Sequence, residues 1–173
     1  EAALLGLARG LLGGSSALAS EAVQDAWVRV IRHAQTYDGR ASVRTWLYRI
    51  VINRCRDVNA RERRATMIAR AFAIRRVPRV GPDGASSPAA SEELAAILPA
   101  LATLPEDRRE VVVLVYGRGF THEAAADVLA IPLGTVKSRL HAALRHLRQE
   151  MGLGDAVARE RSEARRGSGG KGS

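Results

Sequence analysis

The side chains able to do covalent or metal chemistry are few and scattered. Four histidines, His33, His122, His141 and His146, form no His-Glu-x-x-His pair of the kind that holds a catalytic zinc. No Gly-rich phosphate loop and no Gly-x-Ser-x-Gly nucleophile elbow occurs. Glu123 and Asp127 lie four residues apart and share a helix face, yet a pair of exposed carboxylates is ordinarily just solvated. Cys55 is the single cysteine, which leaves neither a disulfide within the chain nor a Cys-based zinc centre. No catalytic residue, metal site or cofactor is therefore expected, and the chain is read as a binding protein.

What the residues do offer is cationic chemistry. Lys and Arg number 27 against 18 Asp and Glu, a net +9, in a chain of 173 residues. Such an excess suits a polyanion, and most of it is arginine, whose planar fork pairs with phosphate or with the guanine edge through two hydrogen bonds. Two stretches concentrate it. From Arg49 to Arg76 there are nine Arg against Asp57 and Glu62, and from Thr135 to Gln149 there is no acid at all. A solvated surface from a GC-rich genome would give the same charge, so charge alone does not decide the partner.

These groups must be positioned by helices. Ala, Leu, Arg and Glu dominate while aromatic residues make up only 4%, an inventory for small helical domains rather than a strand-rich core. Leu4 to Leu12 reads as an incomplete first helix. Val23, Trp27, Val30, Ile31 and Ala34 then fall on one face of a helix over Glu21 to Ala34. A loop from Thr36 to Arg40 turns at Gly39, and Ser42 can cap a longer helix whose apolar face is Val43, Trp46, Leu47, Ile50 and Val51. Trp46 alternates with core positions and is read as packing. Val77 to Ser91 collects Pro, Gly and Ser without helical period, which predicts a flexible linker. Helix resumes over Glu92 to Ala102. Another starts near Pro105, carries Val111, Val112, Leu114 and Val115, and ends at Gly117 and Gly119.

The most informative stretch runs from Thr121 to Leu147. Thr121 can cap a short helix, His122 to Leu129, that buries Ala125, Ala126 and Leu129. Pro132 breaks it and Gly134 eases the turn. From about Thr135 a second helix puts Val136, Leu140, Ala143, Leu144 and Leu147 inward and Lys137, Ser138, His141 and Arg145 outward, with Arg139 on the flank. A short helix, a tight turn and a basic second helix make a helix-turn-helix, whose second helix enters the major groove with its first residues at base edges, here Thr135, Lys137, Ser138 and Arg139.

Two blocks of residues resemble a known family. Leu104-Pro105-Glu106-Asp107-Arg108-Arg109-Glu110, followed by Ile131-Pro132-Leu133-Gly134-Thr135-Val136-Lys137-Ser138-Arg139, is similar to region 4 of the extracytoplasmic-function (ECF) sigma factors. Val23-Gln24-Asp25-Ala26-Trp27 and Arg44-Thr45-Trp46-Leu47-Tyr48-Arg49-Ile50, with Asn53 and Asp57, resemble region 2 of the same group. His122, Ala124 and Ala130 depart from the aromatic, acidic and glycine residues usual there, and Arg54 and Cys55 are peculiar to this chain.

The resemblance implies an all-α protein of two small domains. Region 2 would occupy residues 1–76 and be incomplete at its start, a linker 77–91, region 4 residues 92–151, and a polar disordered tail 152–173. It implies core RNA polymerase as partner. Val23, Gln24, Asp25 and Val28 would meet the β′ clamp helices, and region 4 would meet the β flap. It implies promoter DNA as ligand. The upstream (−35) element would be read by Thr135, Lys137, Ser138, Arg139, His141 and Arg145. The downstream (−10) element would be melted and held by Tyr37, Gly39, Arg40, Tyr48, Arg49, Asn53 and Arg56. An unstacked base offers a π-face and a pairing edge, which suit an aromatic and an amide partner. An anti-sigma factor is a further expected partner, and the expected location is the bacterial cytoplasm, on the nucleoid when active.

Three rivals stand beside this reading. A conventional helix-turn-helix regulator leaves the N-terminal block unexplained. An enzyme lacks its motifs. A basic peripheral membrane protein lacks a bulky aromatic face, and no apolar run reaches the roughly 20 residues of a membrane span, so no membrane insertion is expected.

Overall fold

Serine and threonine hydroxyls set where three of the helices begin. Ser15 Oγ accepts the Leu18 N–H at 3.3 Å, Ser42 Oγ that of Thr45 at 3.1 Å, and Thr121 Oγ1 that of Ala124 at 3.1 Å. Each satisfies one of the N–H groups that a first helical turn leaves without an intrahelical partner. The computed structural model describes residues 1–71 and 91–151, leaving aside the side chains of residues 36 and 91–96. The helices in order are α1 (Ala2–Leu11), α2 (Ser16–His33), α3 (Val43–Ala71), α4 (Ser91–Thr103), α5 (Glu106–Val112), α6 (His122–Leu129) and α7 (Leu133–Glu150). A 3₁₀ turn, Ala34–Thr36, follows α2, and a π-helical turn, Val113–Gly117, extends α5. No strand occurs among the described residues. The expected linker, apart from Ser91 at the start of α4, and the expected tail lie outside them.

Helices α1, α2 and α3 pack on one another, while α5, α6 and α4 each pack on α7 and α6 also meets the π-helical turn. The first unit buries Leu7, Val23, Val51, Ile52 and Val58, the second Leu98, Val111, Leu114 and Val136. At about 1.5–3 kcal/mol for each large apolar side chain removed from water, burial of this kind is the main force holding both units.

The buried faces differ in part from the pattern read along the chain. On α2 the inward stripe is Leu18, Ala19, Ala22, Val23 and Ala26, whereas Ile31 is 76% exposed and Trp27 38%. Alanines at 19, 22 and 26 let the neighbouring helices approach closely, and the bulkier residues further along fall outside that seam. On α3 the inward residues are Tyr48, Val51, Ile52, Cys55 and Val58, and Val43 lies exposed in the first turn. Helix α7 starts at Leu133 behind Pro132, so Gly134 is already helical. The residue that turns the chain is instead Ala130, left-handed at φ 54° and ψ 46°.

Candidate nucleic-acid and polymerase interface

Helix α7 is fixed by Val136, Leu140 and Ala143, which bury its inner face beneath α5 and α6. On the other side Lys137, Ser138, His141 and Arg145 are exposed, Thr135 is half-buried, and Ser138 Oγ donates to the Thr135 carbonyl at 3.1 Å. Arg139 is held back by an ion pair with Asp107 of α5 at 3.2 Å. Four donors therefore stand along one exposed helix face, just after a left-handed turn at Ala130, in the geometry of a helix-turn-helix.

The residues expected to hold an opened strand fall into two groups. Tyr37, Gly39 and Arg40 sit on the loop before α3. Tyr37 donates its hydroxyl to the Ala41 carbonyl and sets its ring 5.3 Å from that of half-buried Trp46, which packs as expected. Gly39 takes φ 73°, a left-handed value that suits glycine. Arg40 is exposed and pairs with Asp38 at 3.3 Å.

The second group lies along α3, and there the other unit has reached it. Tyr48 is 5% exposed with its ring 4.9 Å from that of Phe120. The Arg44 guanidinium lies 4.2 Å from the Phe120 ring centre. Arg49 donates to the Asp127 carbonyl through Nε at 3.0 Å and also through Nη2. Arg56 forms a bidentate pair with Glu110, at 2.6 and 2.7 Å, and reaches the exposed Asn53 Oδ1 at 3.2 Å. Glu110 is 2% exposed, and its hydrogen bond to Arg56 holds that guanidinium above the usual arginine range. One turn on, Glu106 accepts from Asn59 at 2.9 Å and from Arg63 at 2.8 Å.

Of the residues expected to meet polymerase, Gln24 and Val28 are exposed on α2 and Asp25 is half-buried in an ion pair with Arg54. Val23 is 2% exposed and belongs to the core beneath them.

The acids that join the units, Glu106 and Glu110, carried no functional meaning in the sequence beyond their place in a matching block. A signal was present. They stand at i, i+4 on α5, and Arg49, Arg56 and Arg63 recur every seven residues on α3, so each set shares one face.

Comparison with known proteins follows the same division. Residues 1–66 match the family Sigma-70 region 2 and residues 100–149 match Sigma-70, region 4. The chain is 34% identical over 140 residues to the ECF RNA polymerase sigma factor RpoE of Cereibacter sphaeroides, covering 80% of this chain and 75% of that protein. It is 32% identical over 152 residues to the ECF RNA polymerase sigma factor SigE of Mycolicibacterium smegmatis, covering 88% of this chain and 56% of that one. Its fold is similar to that of the sigma factor RpoE from Bartonella quintana, solved in complex with the anti-sigma factor NepR, with a TM-score of 0.70 over 87% of this chain and 91% of that one at 22% identity. With both region matches in order on one chain and a relative of this similarity, the protein belongs to the ECF RNA polymerase sigma factors.

Proposed function

We propose that this chain directs core RNA polymerase to promoters in the bacterial cytoplasm as a binding factor without catalysis of its own. Region 2 (1–76) and region 4 (92–151), joined by 77–91, divide the work. The observation that carries this reading is the presence of both modules in order, each bearing a basic helix face. Free-standing regulators need only the second.

In region 4, Lys137, Ser138, His141 and Arg145 point outward from α7 and meet the −35 element, with Thr135 at its start and Arg139 once Asp107 releases it. In region 2, Tyr37, Gly39 and Arg40 shape the loop that receives a flipped base, while Tyr48, Arg49, Asn53 and Arg56 line the path of the opened strand. Gln24, Asp25 and Val28, supported from beneath by Val23, contact the β′ clamp helices, and region 4 grips the β flap. An anti-sigma factor is the natural antagonist, as NepR is found bound to the Bartonella quintana protein.

Run-off transcription with purified core polymerase on genomic promoter fragments tests the proposal. Transcripts that start at defined sites only when the chain is added are expected. A chain that binds DNA but yields no specific start with core polymerase would overturn it.

A further inference from the structure

Arg54 stands apart in the sequence as peculiar to this chain, and no contact with DNA or polymerase has been assigned to it. In the fold it lies on α3 at the seam with α2, with only 15% of its side chain exposed. A guanidinium cannot shed its charge to suit such a place, so it must be paired. Nη2 meets the Asp25 carboxylate of α2, and Nη1 lies 3.7 Å from Oδ2 of Asp57, one turn further along α3. That same Asp57 oxygen takes Nη2 of Arg29, on α2, at 3.4 Å. Nε of Arg54 is buried without a hydrogen-bond partner, so the pairing rests on its two outer nitrogens. Two carboxylates and two guanidiniums thus cross the seam in the order Asp25, Arg54, Asp57, Arg29. Arg29 and Asp57 are about half exposed, and a pair of that kind holds little by itself. Arg54 is the buried member, and its stem starts from a rigid base, since Val51, Ile52, Cys55 and Val58 around it on α3 are core residues. Asp25 sits between exposed Gln24 and buried Ala26, at the edge of the α2 face that carries Gln24 and Val28. Its carboxylate gives Oδ2 to Arg54 and is still 45% exposed, so the group that Arg54 fixes remains open to a partner.

We propose that Arg54 is a positioning residue for polymerase binding: from α3 it fixes the Asp25 carboxylate in the orientation in which that group meets core polymerase, while Asp57 and Arg29 hold the guanidinium in turn. The proposal rests on the reading of Asp25 as a polymerase contact. A carboxylate free to turn would lose rotamer freedom on binding, whereas one already held by Arg54 has little left to lose. Without Arg54 the seam would also hold two carboxylates against one guanidinium. An arginine that merely masked Asp25 would act in the opposite sense, because its removal would hand polymerase a freed carboxylate.

Equilibrium binding of the full chain to core polymerase, arranged as a double-mutant cycle, tests this. Arg54→Met keeps a buried stem and deletes the charge, Arg54→Lys keeps a charge, and Asp25→Asn removes the charge of the carboxylate. Thermal melts verify that each variant is folded. Arg54→Gln, neutral yet able to donate hydrogen bonds in the seam, takes the place of Arg54→Met in the cycle should the methionine variant unfold. Arg54→Met should weaken binding about three- to tenfold, Arg54→Lys should recover most of the loss, and Arg54→Met should cost almost nothing further in the Asp25→Asn background. A merely structural arginine would weaken binding equally in both backgrounds, and that result would overturn the proposal, as would unchanged or tighter binding by Arg54→Met. Asp25→Asn alone judges the reading beneath. Binding as tight as the parent's would remove Asp25 from the interface and the proposal with it, whereas a loss there without coupling to Arg54 would leave the contact standing and refute its positioning.

Discussion

Cys55 and Ala130 each hold a state that their environment imposes. Cys55 is 1% exposed, and burial, reinforced by the negative charge of Glu110 and Glu106 and opposed by Arg54, pushes its thiol up to about 12. The unfolded thiol ionises near its ordinary value of about 9, so the two states bind the same proton below that pH. Above it the unfolded state releases its proton first, and the stability contributed by the protonated, buried thiol is lost progressively as pH rises from about 9 to about 12. Urea midpoints for the parent and Cys55→Ala should therefore converge between about pH 8 and about pH 10.5, and a constant gap would contradict the assignment. Ala130 takes a left-handed φ of 54°, where its Cβ crowds the following carbonyl. Ala130→Gly relieves that contact and should stabilise the chain by up to about 1 kcal/mol, seen as a Tm higher by about 2–4 °C in a thermal melt. A lower Tm would mean that the turn is not strained.

At the scale of elements, α7 carries the plainest functional expectation. Lys137→Ala should weaken binding of holoenzyme to promoters. A base contact would cost about 1–3 kcal/mol and relax preference at one position of the −35 element, whereas a phosphate contact would lower affinity evenly across sequences. Competition binding against a panel of −35 variants separates the two, and unchanged binding would remove Lys137 from the interface. The helix-turn-helix was legible in the sequence because its signals are local. Thr121 caps α6, Pro132 ends the turn, and Val136, Leu140 and Ala143 repeat at helical spacing. The buried face of α2 was less legible, since small alanines define the seam and hydropathy favours Trp27 and Ile31, which remain exposed. The pairing of Arg56 with Glu110 was legible only as two separate faces, the Arg49, Arg56 and Arg63 stripe of α3 and Glu106 with Glu110 on α5, with nothing to say that they meet. It joins residues 54 positions apart, and no local pattern tells a buried carboxylate from a solvated one. Ala130 stands where the resembling family usually has glycine, but nothing local announces its left-handed conformation, because Gly134 nearby is the more natural candidate for the turn.

For the whole molecule, the proposed function places promoter recognition in the complex with polymerase and not in the chain alone. The α7 face is open, yet one recognition helix provides few base contacts. The region 2 face is covered by region 4, and in the proposed function it takes unpaired DNA, which a duplex does not supply. Polymerase would hold both regions on their elements at once, making the second contact intramolecular and raising apparent affinity by about 10²–10⁴. Gel shifts on a duplex promoter and on a random duplex, with the chain alone and with core polymerase added, measure this directly at physiological salt. Weak binding by the free chain with little preference for the promoter is expected, and tight, promoter-specific binding once core polymerase is present. Nanomolar, sequence-specific binding by the chain alone, unchanged by polymerase, would contradict it.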